Sequence, residues 1–215
     1  MRAGVSCALV LGLLATSAES REYPLNERPM YGSVEKTSAM VAADEQLIQD
    51  NAKEGKTREQ GSDIAVVLGW RYFDKDDYAT AMKRFNQAWL LDPDNGDAFE
   101  GFAAVVNARE HDAKTAEVFF QQALTKPRHR PVVLSDYGLF LLRQNRVGEA
   151  IPILEQAVAI PNQTPDAQAL LAMAYDVTRH PGACEAAAKV TDKAFPRYRD
   201  SARKIALSAL CRAGH

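Results

Sequence analysis

Apolar and small residues recur along residues 62–196 in blocks of 34 or 35, each block holding two stretches of helical spacing. Small residues stand at Gly69, Ala103, Gly138 and Ala172, in steps of 34, 35 and 34. Tyr72, Val106, Leu141 and Tyr175 follow one turn later with the same steps. A second set of small residues, Ala81, Ala116, Ala150 and Cys184, steps by 35, 34 and 34. Pro93, Pro127, Pro161 and Pro196 step by 34, 34 and 35. Four landmarks with one period predict four helix–turn–helix units, over 62–95, 96–129, 130–163 and 164–196. Each unit has a helix A and a helix B, and neither buries its apolar face alone. Small residues let the paired helices touch, and Phe85, Phe119, Phe120 and Leu154 fill the space between pairs. The closing prolines stop helix B. The polar turns 74–77 and 143–146 suit surface connections.

The flanks differ. Residues 1–18 combine Arg2, an uncharged apolar run over 3–15, and small residues at Thr16 and Ala18. That is the layout of an export signal with cleavage after Ala18, and the run is shorter than the roughly 20 residues a spanning helix needs. Residues 19–36 carry Tyr23, Pro24, Pro29, Met30, Tyr31 and Gly32 and are expected to be extended and non-helical. An amphipathic helix is predicted over 37–54, within an N-terminal helix-and-linker region 37–61. It is capped by Thr37 or Ser38, exposes Met40, Leu47 and Ile48 on one face, and ends at Gly55. Thr57 and Gln60 form a capping box for the first repeat helix. Within 197–215, a last helix over 199–212 with Ile205, Leu207 and Leu210 caps the array.

The first unit resembles a tetratricopeptide repeat in Leu68-Gly69, Tyr72, Ala81, Phe85, Ala88 and Pro93, departing only at Ala65, where a large residue is usual. The fourth unit is the least regular, with Ala188 at a position usually bulky. The resemblance implies an all-α, right-handed superhelical solenoid whose concave groove is lined by the A helices. Carried onto this sequence, the groove positions give Val66, Trp70 and Phe73 in the first unit, Glu100 and Asn107 in the second, Leu139, Leu142 and Arg143 in the third, and Met173 in the fourth. The family's clamp for C-terminal carboxylates uses Lys, Arg and Asn at such positions. Here most are apolar or acidic, which argues against a receptor for chaperone tails. An apolar groove with acidic edges suits a peptide with apolar anchors and basic residues. Trp70 and Phe73 either anchor that peptide or pack against the helix over 37–54. Alternatively, the segment around Tyr23 to Tyr31 lies in the groove as an internal ligand.

Composition supports the helical reading. Of 215 residues, 35 are alanine and 8% are aromatic, and alanine is the best helix former. A formal net charge of −2 lacks the basic excess of a nucleic-acid binder. Two basic clusters, Lys126 to Arg130 and the group Lys193, Arg197, Arg199, Arg203, Lys204 and Arg212, are either solvated or contact an anionic surface.

With Cys7 removed by export, Cys184 and Cys211 remain, in an oxidising compartment. They stand equidistant from the turn near Pro196 between a helix over 182–195 and the capping helix. That hairpin would bring them to bonding distance. The alternative is two buried thiols.

No chemistry-bearing motif survives inspection. Gly55-Lys56-Thr57 lacks the earlier glycine of a phosphate loop, because Asp50 occupies its place. His111, His129, His180 and His215 have no ligand spacing for zinc, and no carboxylate pair stands out for acid–base work. Asn162 to Thr164 fits a glycosylation sequon. The sequence therefore predicts a cofactor-free, non-catalytic binding scaffold for a peptide or protein, without nucleic acid and without a transmembrane segment in the mature chain. The expected setting is periplasmic or secreted, in envelope assembly, secretion or pilus biogenesis. The alternatives are a cytoplasmic adaptor, and an enzyme or ligand receptor whose site the sequence hides.

Overall fold

The computed structural model describes residues 23–160, 165–208 and Cys211. The expected export segment, the glycosylation sequon and Arg212 lie outside the described residues. Helices account for the fold: α1 (Ser38–Lys53), α2 (Arg58–Phe73), α3 (Tyr78–Leu91), α4 (Gly96–Val105), α5 (Ala113–Thr125), α6 (Val132–Arg143), α7 (Val147–Val158), α8 (Ala167–Val177), α9 (Ala183–Ala188) and α10 (Pro196–Ala206). No strand occurs among the described residues; the one isolated bridge joins Asn95 to Arg128. Successive helices pair as α2–α3, α4–α5, α6–α7 and α8–α9, each pair packs on the next, and α10 closes the stack against α8 and α9. The chain is a helical solenoid.

Local chemistry sets the helix starts. Thr57 and Gln60 form a reciprocal capping box, with the Thr57 N–H donating to Gln60 Oε1 at 2.9 Å and the Gln60 N–H to Thr57 Oγ1 at 3.2 Å. Thr37, Asp77, Asn95 and Asp112 accept main-chain N–H bonds at the starts of α1, α3, α4 and α5. Each satisfies a donor that the first turn leaves unpaired. Gly55 ends the linker after α1 in the left-handed region, at φ +72°. α2 opens at Arg58, as the expected capping box requires, and the Arg58 guanidinium ties this extended start to the last carbonyls of α3, Leu91 O at 2.8 Å and Leu90 O at 2.9 Å.

The shared core runs through the stack. Phe85, Phe102, Leu141, Leu154 and Leu170 are fully buried. Gly69 and Gly138 allow their closeness: a Cβ on Gly69 would stand 2.5 Å from the Phe85 ring, and one on Gly138 2.5 Å from Leu154. The longer step from Ala81 to Ala116 has a local cause. α4 continues into a single π-helical turn, Val106–Glu110, which absorbs one extra residue without breaking the helix.

Two expectations at the C-terminal end need correction, while the expected pairing of Cys184 with Cys211 is present. The B helix of the fourth unit stops at Ala188 instead of reaching Phe195. It is nearly all alanine there, with no large residue to bury, and β-branched Val190-Thr191 and then Asp192 follow, all poor helix formers. The last helix runs over Pro196–Ala206 rather than 199–212, with Pro196 at its first position. Cys184 on α9 and Cys211 beyond α10 are joined by a disulfide, with Cα atoms 5.5 Å apart.

Residues 23–33 are not extended. They make two 3₁₀ turns, Leu25–Glu27 and Pro29–Ser33, with Met30, Tyr31 and Gly32 at positive φ. Nor do they lie among the A helices, because the segment packs along α3. The Asn86 side chain donates to Asn26 O at 3.0 Å and Arg28 O at 2.8 Å. Arg109, in the π turn, donates to Glu27 O at 2.9 Å and stacks 3.6 Å over the Tyr23 ring. Tyr31 meets Trp89 at 6.3 Å between centroids.

Candidate functional site

The A helices α2, α4 and α6 enclose a cavity of about 210 Å³. Trp70 and Phe73 supply one wall from α2, and Glu100, Ala104, Asn107 and Ala108 line it from α4 and its π turn. Asp136, Leu139, Phe140 and Arg143 complete it from α6, with Phe120 of α5 behind them. The cavity therefore brings together six of the expected groove residues: Trp70, Phe73, Glu100, Asn107, Leu139 and Arg143. The other three lie elsewhere. Val66 is buried with Ala65, Ala88 and Ala98 in a separate small core, and borders a different cleft near Arg128. Leu142 and Met173 are half-buried and pack against the main core.

Trp70 touches Phe73 edge-on at 5.3 Å and Phe85 at 5.4 Å. Both aromatic residues are half-buried. The indole Nε1 is buried without a hydrogen-bond partner, an unusual position for a donor.

Electrostatics centre on Glu100. It is fully buried, Arg130 Nη2 lies 3.4 Å from its Oε2, and its Oε1 has no hydrogen-bond partner. Burial pushes the Glu100 carboxyl well above the usual carboxylate range, and the neighbouring Asp136 pushes it further. Asp136 is also raised, first by burial; the Glu100 hydrogen bond, Arg130 and Arg143 act against that shift, while Asp166 adds to it. Two neighbouring buried carboxyl groups cannot both ionise cheaply, so the pair favours sharing one proton, with Glu100, the more deeply buried, raised further. Arg130 serves Asp97 chiefly: its Nε donates to Asp97 Oδ2 at 2.5 Å and its main-chain N–H to Asp97 Oδ1 at 2.8 Å.

Sequence reasoning missed Asp136 and the pair it forms, having dismissed carboxylate pairs. The partners are 36 residues apart and meet only because units two and three stack. A repeat-aligned comparison carries the signal, since Asp136 lies one position beyond Ser135, the equivalent of Glu100 in the next unit. The basic cluster at 126–130 is also redefined. Arg128 donates to Asp63 at 2.9 and 3.0 Å and pairs with Asp92, while Arg130 pairs with Asp97. These cations tie successive units together instead of forming a free basic patch. At the C-terminal end, Arg199 and Arg203 lie 3.7 and 3.6 Å from Asp192.

Among the described residues, no group of His, Cys, Asp and Glu is placed to hold a metal ion, and no helix is long and apolar enough to cross a membrane.

Residues 108–174 match the tetratricopeptide repeat family pattern. The type IV pilus assembly protein PilF of Pseudomonas aeruginosa is 30% identical over 109 residues, which is 51% of this chain and 43% of that protein. The match thus spans less than half of the relative's length. A solved structure from a functional characterisation of Pseudomonas aeruginosa PilF superposes with a TM-score of 0.59 at 24% identity, over 74% of this chain and 79% of that one. The crystal structure of YrrB, described as a TPR protein with an unusual peptide-binding site, gives a TM-score of 0.46 at 19% identity, over 80% of this chain and 97% of that one.

Proposed function

We propose that the chain, a helical solenoid whose residues 108–174 match the tetratricopeptide repeat pattern, is a non-catalytic scaffold binding a peptide or protein segment along α2, α4 and α6. The carrying observation is the cavity itself, which draws residues from three successive units. At about 210 Å³ it falls below the roughly 300–1,000 Å³ of ordinary small-molecule sites and suits a side chain of a larger partner. Half-buried aromatic residues beside polar groups are the usual composition of binding hot spots.

The similarity to a pilus assembly protein supports a setting in envelope or pilus assembly, and the export signal read from residues 1–18 supports a periplasmic or secreted location. The test is co-purification of partners from envelope extracts with wild-type protein, Leu139→Asp and the cavity-filling Ala104→Trp. Loss of the same partner in both variants, with circular dichroism unchanged, supports the reading. Undiminished capture by both contradicts it.

A further inference from the structure

Resting on the reading of this face as a binding surface, we propose that the cavity between α2, α4 and α6 receives one cationic side chain, lysine or arginine, from an extended segment of the partner protein, with Asp136 as its counter-ion.

Charge complementarity carries the assignment. Asp97, Glu100, Asp136 and Asp166 converge on this part of the stack, against Arg130 and Arg143. Arg130 is engaged by Asp97, and the Asp166 carboxylate accepts the Phe195 N–H at 2.6 Å. Asp136 thus has the Glu100 hydrogen bond and the fields of Arg130 and Arg143, and no ion pair of its own among the described residues, inside a cavity whose other walls are largely apolar. Arg143 stands exposed at the mouth, where solvent and salt weaken its field. A long cationic side chain meets each condition: its methylene stem packs on Leu139 and Phe140, its charge faces Asp136, and Trp70 and Phe73 line the same cavity.

The exchange balances. A cation arriving beside the carboxyl pair supplies the positive charge that the shared proton supplies in the free protein, so that proton leaves to solvent as the cation binds. Binding then tightens as pH rises.

The test is nuclear magnetic resonance titration of the whole folded chain with the capped amino acids N-acetyl-arginine amide, N-acetyl-lysine amide and N-acetyl-leucine amide, following the Trp70 indole N–H. The expected result is saturable shifts with the two cationic probes, at least tenfold stronger than with the leucine probe. Asp136→Asn should weaken the cationic probes about tenfold and leave the leucine probe unchanged. Arg143→Gln, at an exposed position, should strengthen them. Glu100→Gln should abolish the tightening with rising pH. Equal or preferred binding of the leucine probe overturns the cation assignment while leaving the apolar groove intact. Absence of binding by every probe also overturns it, and partner capture with Leu139→Asp then decides independently whether the surface binds at all.

Discussion

Gly69 faces the ring of Phe85 so closely that a Cβ on the glycine would stand 2.5 Å from it. Gly101 of the next unit approaches the same ring from α4, so one phenylalanine is clasped by two glycines and fixes both the pairing within a unit and the stacking between units. Replacing Gly69 by valine should cost about 1–3 kcal/mol, because a rigid buried ring must move. Gly148→Ala is the control: its Cβ meets nothing within 4 Å, so the change should add roughly 0.5–1 kcal/mol from helix propensity. Urea unfolding of the two variants checks the opposite signs.

The Cys184–Cys211 bond closes 27 residues of chain and holds the end of α10 to the short helix α9. In the chain-entropy picture a loop of that length contributes about 3–4 kcal/mol. Cys184→Ala combined with Cys211→Ala should lower stability by that order. Hydrogen exchange should show α9 and α10 losing protection first, while α2 to α5 keep theirs.

Asn86 ties residues 23–33 to α3 through two main-chain carbonyls. Its loss in Asn86→Ala should cost about 1–3 kcal/mol, as two hydrogen bonds made away from water. Limited proteolysis should then cut between Tyr23 and Ser33 faster than in the wild type, with the repeats themselves still protected. Unchanged cleavage would show that the strap is held by other contacts.

Stability should depend on pH through Glu100. Its folded-state proton affinity is raised above the ordinary value of 4.5, so the folded chain keeps a proton that the unfolded chain releases. That stabilisation is complete below the unfolded value and is lost as pH rises through the folded one. Asp77, Asp112 and Glu117 act oppositely: hydrogen bonds from Thr80, Thr115 and Arg146 lower them, and their contribution disappears as pH falls through their folded values. Thermal unfolding across pH 3 to 8 should therefore pass through a maximum. Glu100→Gln should flatten the alkaline side alone.

The period of the array was legible because helix pairing places small residues at repeating positions, and Gly69, Gly138 and Ala150 each sit at a close helix contact. Trp70, Phe73, Glu100, Asn107, Leu139 and Arg143 were legible for the same reason, since equivalent positions in stacked units face one surface. What lay hidden depends on stacking geometry rather than period. Asp136 gains meaning only when unit three presses it against Glu100. Arg128 and Arg130 look like a free basic cluster until Asp63, Asp92 and Asp97 of earlier units come alongside. The end of α9 was overestimated because the proline landmark survives where the helix-stabilising bulk does not.

The central claim, that the partner binds along α2, α4 and α6, is tested most directly by site-specific photo-crosslinking in the native host. A photoreactive residue placed at Asn107 or Arg143 lies on that surface, and one at Val118 lies on the exposed side of α5. The account predicts a protein adduct from the first two positions and none from Val118. An adduct from Val118, with nothing from Asn107 or Arg143, would contradict it.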